Sequence, residues 1–110
     1  MDPQLLQEIE LLHDQVCHAL GDPTRISILY LLFAQEQCVN DLANALSQPQ
    51  STISRHLKIL RDRALVNTTR EGTTIYYSLA DKRIVQALDL LRGLLHDRLA
   101  QQLKVVASDK

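Results

Sequence analysis

Residues 40–63 read Asn40-Asp41-Leu42-Ala43-Asn44-Ala45-Leu46, then Ser47-Gln48-Pro49, then Gln50-Ser51-Thr52-Ile53-Ser54-Arg55-His56-Leu57-Lys58-Ile59-Leu60-Arg61-Asp62-Arg63. The first part is a short helix with Leu42, Ala43 and Leu46 turned inward. Proline lacks an N–H and disfavours helix in the residue before it, so Ser47-Gln48-Pro49 is a break. From about Gln50 to Arg63 a second helix sets Ile53, Leu57, Leu60 and Ala64 on one face, at spacings of three and four. Its other face shows Ser51, Ser54, Arg55, Lys58 and Arg61. A short helix, a tight break and a second helix with a small-polar and basic face is the arrangement that presents a helix to a DNA major groove.

The flanking sequence completes a fold around this pair. Upstream, Leu5, Leu6, Ile9, Leu12, Val16 and Leu20 predict an amphipathic helix over about 4–20, ended by Gly21. Asp22-Pro23 starts the next helix, about 23–35, because the Asp side chain caps free N–H groups and Pro needs no partner in the first turn. Ile26, Ile28, Leu29, Leu31, Leu32 and Phe33 make it apolar nearly all round, which predicts the most buried, central helix. Downstream, Leu65–Thr69 and Thr74–Leu79 alternate and are β-rich, with Arg70-Glu71-Gly72 as the turn of a hairpin at about 65–79. A last helix, about 82–105, carries Ile84, Val85, Leu88, Leu91, Leu94, Leu95 and Leu99. The expected fold is mainly α with a small β-hairpin, in the order α-α-α-α-β-β-α: one winged helix-turn-helix domain over residues 1–110. The end helices hold more leucine than one small domain covers, so they are expected to pair with a second copy.

Composition supports this and removes other classes. At 110 residues, 45% of them hydrophobic, the chain builds one core and not two. Aromatics are 4% with no Trp, so the core is aliphatic. No apolar run reaches the roughly 20 residues of a membrane helix, and Met1-Asp2-Pro3-Gln4 has no basic leader region. Two cysteines, Cys17 and Cys38, make no disulfide framework and suit a reducing cytoplasm. The net charge of −1 hides an asymmetry: residues 1–46 carry −6, residues 47–78 carry +3 and residues 79–110 carry +2. An anionic partner therefore docks on the middle third, unless Arg61 and Arg63 are only a solvated helix end.

Four segments in this order and spacing carry a resemblance: Ala19-Leu20-Gly21-Asp22-Pro23-Thr24-Arg25-Ile26, Gln37-Cys38-Val39-Asn40-Asp41-Leu42-Ala43, Gln50-Ser51-Thr52-Ile53-Ser54-Arg55-His56-Leu57-Lys58 and Tyr76-Tyr77-Ser78-Leu79. Each alone is weak, but together they resemble the ArsR/SmtB family of small winged-helix repressors over roughly residues 5–100. The resemblance implies a dimeric, cytoplasmic repressor on an inverted-repeat operator, released by an inducer, usually a metal ion or an oxidant. Gln50, Ser51, Thr52, Ser54 and Arg55 lie in the first turns of the reading helix, where base edges are reached. Gln pairs bidentately with adenine and Arg with guanine. Lys58, Arg61 and Arg70 are expected on phosphates. His56 is a candidate contact that also fits as a flank of the apolar face. Family members often carry a further base where this chain has Thr73, so wing contact rests on Arg70.

The sensed signal is not named by any family pattern. The arsenic-type box has two cysteines flanking Val, and here it reads Cys38-Val39-Asn40. The zinc-type site of the last helix falls on Asp81, Arg83, Leu94 and Asp97, without either imidazole. The persulfide-type second Cys on the last helix is missing. Cys38 and Asp41 match two ligands of the family's other metal site, whose remaining ligands come from an N-terminal arm that barely exists here. Three readings fit. Cys17 and Cys38 form a reversible disulfide; or Cys17, Cys38, Asp41 and His13 or His18 bind a thiophilic cation such as Zn(II) or Cd(II), across a dimer if need be; or both cysteines are core residues. Among rival classes, an enzyme lacks a phosphate-binding Gly-rich loop, and adjacent Cys17-His18 point apart on a helix. A protein-contact module would show an acidic or apolar face on residues 50–61. A repressor with no sensed ligand differs only in leaving the cysteines unused.

Overall fold

In the computed structural model, which describes residues 1–108, the chain runs through five α-helices and a three-stranded antiparallel sheet. Asp2 accepts a hydrogen bond from the Gln4 N–H and opens α1 (Pro3–Leu12). The predicted single helix over 4–20 is not regular. His13–Cys17 form a π turn, closed by the His18 N–H on the His13 carbonyl, and Ala19–Gly21 tighten into a 3₁₀ turn. One extra residue per turn leaves the apolar spacing nearly intact, so periodicity does not reveal it.

Helix α2 (Pro23–Ala34) begins as its signals predict: the Asp22 carboxylate accepts from the N–H groups of Thr24 and Arg25 at 2.8 and 3.3 Å, and Pro23 fills the first position. Ile28, Leu29 and Leu32 are buried at the centre of the molecule. Phe33, counted in the same apolar set, is 49% exposed, because the helix faces solvent on that side. The two-residue strand β1 (Gln37–Cys38) was not expected. Its residues pair with Tyr77 and Tyr76 of β3 (Thr74–Leu79), and two residues are too few for an alternating pattern.

Helices α3 (Val39–Leu46) and α4 (Gln50–Asp62) bury Leu42, Ala43, Ile53, Leu57 and Leu60 against α2. Both end in the same backbone device. At α4 the Leu65 N–H reaches the Leu60 carbonyl and the Ala64 N–H reaches that of Arg61; at α3 Gln48 and Ser47 bond back to Ala43 and Asn44. Ser47 and Ala64 therefore take φ of 52° and 60°. Ala64 is exposed at this bend and does not extend the apolar face of α4, contrary to its expected place; Leu65 is the buried residue there. Strands β2 (Val66–Glu71) and β3 pair through Glu71 and Thr74, giving the sheet order β1-β3-β2. The turn is thus Gly72-Thr73, not 70–72, since Gly72 at φ 62° supplies the positive φ of a two-residue hairpin loop.

Helix α5 (Arg83–Ser108) closes the chain. Its first turns bury Val85 and Leu88, and Tyr30 of α2 donates to Asp89 at 2.6 Å with the Arg92 guanidinium 5.3 Å from the Tyr30 ring centre. Beyond this α5 leaves the core: Leu90, Leu91, Leu94, Leu95, Leu99 and Leu103 are 48–78% exposed. Helix α1 buries no residue, and its leucines are similarly bare. Among the described residues, no helix is long and apolar enough to cross a membrane.

Candidate nucleic-acid interface

The buried edge of α4 determines what its opposite edge offers. With Ile53, Leu57 and Leu60 fully enclosed, Gln50, Ser51, Ser54, Arg55, Lys58 and Arg61 are left exposed, and Thr52 is half-buried beside them. No side chain caps the first turn of α4 at Pro49. Lys58 pairs with Asp62 one turn on, at 3.1 Å, an exposed pair that a phosphate can replace at small cost. Arg63, by contrast, turns away to Asp14 at 3.5 Å and ties the end of α4 to the first segment.

The turn before α4 is anchored by Gln48, whose side-chain amide donates to the Thr24 hydroxyl at 3.0 Å. In the wing, Arg70 is exposed on β2 and its Nε donates to the Gly72 carbonyl at 3.3 Å, which holds it near the tip. Between α4 and the wing lies a groove of about 430 Å³ bordered by Cys38, Asn40, Ser54, Thr73 and Thr74.

Of the two places expected for His56, the structure shows the half-buried one: its ring lies against the start of α2, where Nδ1 is 3.2 Å from Arg25 Nη1 and Nε2 is 4.0 Å from the Asp22 carboxylate. Arg25 in turn donates through Nε to the Ala19 carbonyl at 2.7 Å and through Nη2 to that of His18 at 3.3 Å. Partial burial works to raise the Asp22 pKa, but the N–H groups of Arg25 and Thr24 and the nearby His56 and Arg25 charges outweigh it, so Asp22 titrates below the usual range. In the sequence Asp22 reads only as a helix-start signal, and Arg25 only as part of the segment that carries the family resemblance. A residue 31 positions away in sequence gave no local hint of the contact.

The candidate sensor residues are reachable by solvent. Cys17 is exposed in the π turn with His13 and His18 on the surface around it, Cys38 is half-buried in β1, and Asp41 is exposed in the first turn of α3. Within one chain Cys17 lies outside the core and Cys38 is only half-buried. Among the described residues of one chain, no group of three or more His, Cys, Asp and Glu side chains is gathered to hold a metal ion. Cys38, however, borders the same groove as Ser54 of α4.

Comparisons with known proteins meet this geometry on the same segment. The family model described as "Bacterial regulatory protein, arsR family" matches residues 22–68, from the cap of α2 into β2. The chain is 45% identical over 67 residues to the transcriptional repressor SmtB homolog of Synechocystis, a match covering 61% of this chain and 51% of that protein, so it spans about half that relative's length. It is 34% identical over 95 residues to the transcriptional activator HlyU of Vibrio cholerae, covering 84% of this chain and 88% of that one. Among solved structures, the homodimeric winged helix-turn-helix DNA-binding domain Mb0332 of Mycobacterium bovis superposes with a TM-score of 0.77 at 27% identity, over 92% of this chain and 93% of the other.

Proposed function

Because the chain belongs to the ArsR family of bacterial regulatory proteins, we propose that it is a homodimeric repressor which sets its two α4 helices in successive major grooves of an inverted-repeat operator. As a family member it is a DNA-binding transcriptional regulator and not an enzyme. The observation that carries the reading is the two-sided α4: an apolar edge locked into the core and a Ser, Gln, Arg and Lys edge left to solvent. On that edge Arg55, Gln50, Ser51, Thr52 and Ser54 read bases, and Lys58, Arg61 and the wing residue Arg70 contact phosphates.

Dimerisation is supported by the bare leucines of α1 and of α5 beyond Asp89, which are continuous apolar strips too large for the surface of a lone domain. A second copy supplies the matching strip, and two-fold symmetry of the protein then meets two-fold symmetry of the operator. Repression, rather than activation, is the sense we assign; relatives of both kinds match the chain.

The signal acts on the thiols, in a reducing cytoplasm where they stay reduced until challenged. Oxidation of Cys17 and Cys38 by peroxide joins two thiols as one disulfide with release of two waters, and strain at Cys38 reaches α4 through the groove they share. A thiophilic cation such as Zn(II) or Cd(II) would need ligands from both subunits, since one chain does not gather them among its described residues. Fluorescence anisotropy on DNA from upstream of the protein's own gene tests the reading, with the protein reduced, then peroxide-treated, then re-reduced. Specific binding when reduced, lost on oxidation and restored by reductant, is the expected result, and Cys17→Ser abolishes the loss. No specific binding by the reduced protein overturns the repressor reading. Indifference to peroxide with release by Cd(II) replaces oxidation by the cation, and indifference to both leaves a repressor without a sensed ligand.

A further inference from the structure

His56 follows Arg55 in the chain, about 100° further round α4, and is half-buried where Arg55 is exposed. Apolar contacts through Ile53, Leu57 and Leu60 hold α4 against the core, but such contacts are non-directional. The hydrogen bond from Arg25 Nη1 to His56 Nδ1, at 3.2 Å, is directional, and it acts on the turn that carries Ser54 and Arg55. Arg25 is itself fixed by two backbone carbonyls, of Ala19 and His18, so it is a rigid post and not a loose side chain. A guanidinium only donates; Nδ1 must therefore be unprotonated, and the ring proton of neutral His56 sits on Nε2, towards Asp22.

Resting on the DNA-reading function above, we propose that neutral His56 is a positioning residue for base recognition: pinned by Arg25, it sets the roll of α4 at which Arg55 and Ser54 meet base edges, and it touches no DNA itself. The charged and titratable groups facing its ring are Arg25 and Asp22, both at the start of α2. Protonation of Nδ1 ends acceptance from Arg25 and sets two cations against each other, while Asp22 draws the ring aside. Base discrimination therefore declines when His56 takes up a second proton, while phosphate-driven binding does not.

The test uses the full chain, a duplex selected by the wild type from a random pool, and a scrambled duplex of equal length. Affinity for both is measured from about pH 8 to about pH 5.5, with melting temperature alongside, for the wild type, His56→Asn, His56→Leu and Arg55→Ala. The wild type is expected to lose several-fold in its ratio of specific to scrambled binding on acidification. His56→Asn retains the ratio and flattens the profile, because its side-chain carbonyl oxygen, at the level of Nδ1, accepts from Arg25 and takes up no proton. His56→Leu lowers the ratio about tenfold at pH 8, the scale of one base contact, with scrambled binding unchanged. A flat wild-type profile, or His56→Asn as defective as His56→Leu, overturns the positioning role, and the wild-type profile remains readable if the Leu variant fails to fold. If Arg55→Ala loses discrimination and the His56 variants keep it, the positioning role alone falls. If the wild type selects no duplex, DNA reading falls and the inference with it.

Discussion

At Arg55 the side chain stands exposed on the face opposite Ile53 and Leu57, with a geometry suited to a guanine edge. Arg55→Ala is expected to weaken operator binding by about 1–3 kcal/mol and to relax preference at one base position, as measured by competition with point-substituted duplexes. Lys58→Ala behaves differently: all duplexes weaken alike, and the slope of log affinity against log salt falls by about one. An Arg55→Ala variant with unchanged selectivity removes that residue from the reading face. Residue chemistry also governs the start of α5. The Asp81 carboxylate accepts from the Arg83 side chain and from its N–H, both at 2.8 Å, which holds its pKa down from 3.8 to about 2. A depressed carboxylate pKa adds stability above the unfolded value that is lost as the pH falls through the folded one. The melting temperature of wild type should thus exceed that of Asp81→Ala above about pH 4, and the gap should close towards pH 2; a gap unchanged by acid contradicts this.

Elements in this protein are joined by caps and returns more than by length. Both α3 and α4 end in left-handed residues that are not glycine, Ser47 and Ala64. A Cβ is strained there, so Ala64→Gly relieves the bend, offset in part by a freer unfolded chain. It should raise stability by about 0.5 kcal/mol in urea unfolding with DNA affinity unchanged; destabilisation would show that the Ala64 backbone is not strained. Helix α2 is the element on which the others are registered. Asp22 and Arg25 at its start hold His56 of α4, and Tyr30 near its middle holds Asp89 of α5. Helices α4 and α5 are thereby both attached to α2.

For the whole molecule, the extents of 61 × 42 × 21 Å reflect α5 running past a small core. A helix carrying Leu91, Leu94, Leu95 and Leu99 to solvent is stable in water when another surface covers it. Leu94→Glu with Leu95→Glu should turn the dimer into a monomer in sizing chromatography and reduce operator affinity by a hundredfold or more, since one half-site loses its tethered neighbour. A wild-type monomer at micromolar concentration, or a double variant that remains dimeric, argues against this interface.

The helix order, the break at Ser47-Gln48-Pro49, the inward set Ile53, Leu57 and Leu60, and the polar-basic edge opposite it were determined by the sequence alone. Each depends on local spacing, capping or backbone restriction within a few residues. The same holds for the bare leucines at both ends, which are a surplus visible in composition. Only the tertiary structure decided that His56 turns to Arg25, that Arg63 turns to Asp14, and that Cys38 joins a strand beside α4. Those contacts link segments from 31 to 49 residues apart, and no local pattern encodes them. The π turn at His13–Cys17 and the bend at Ala64 escaped for a related reason. An inserted residue or a left-handed alanine leaves the periodicity almost untouched, while the path of the backbone changes.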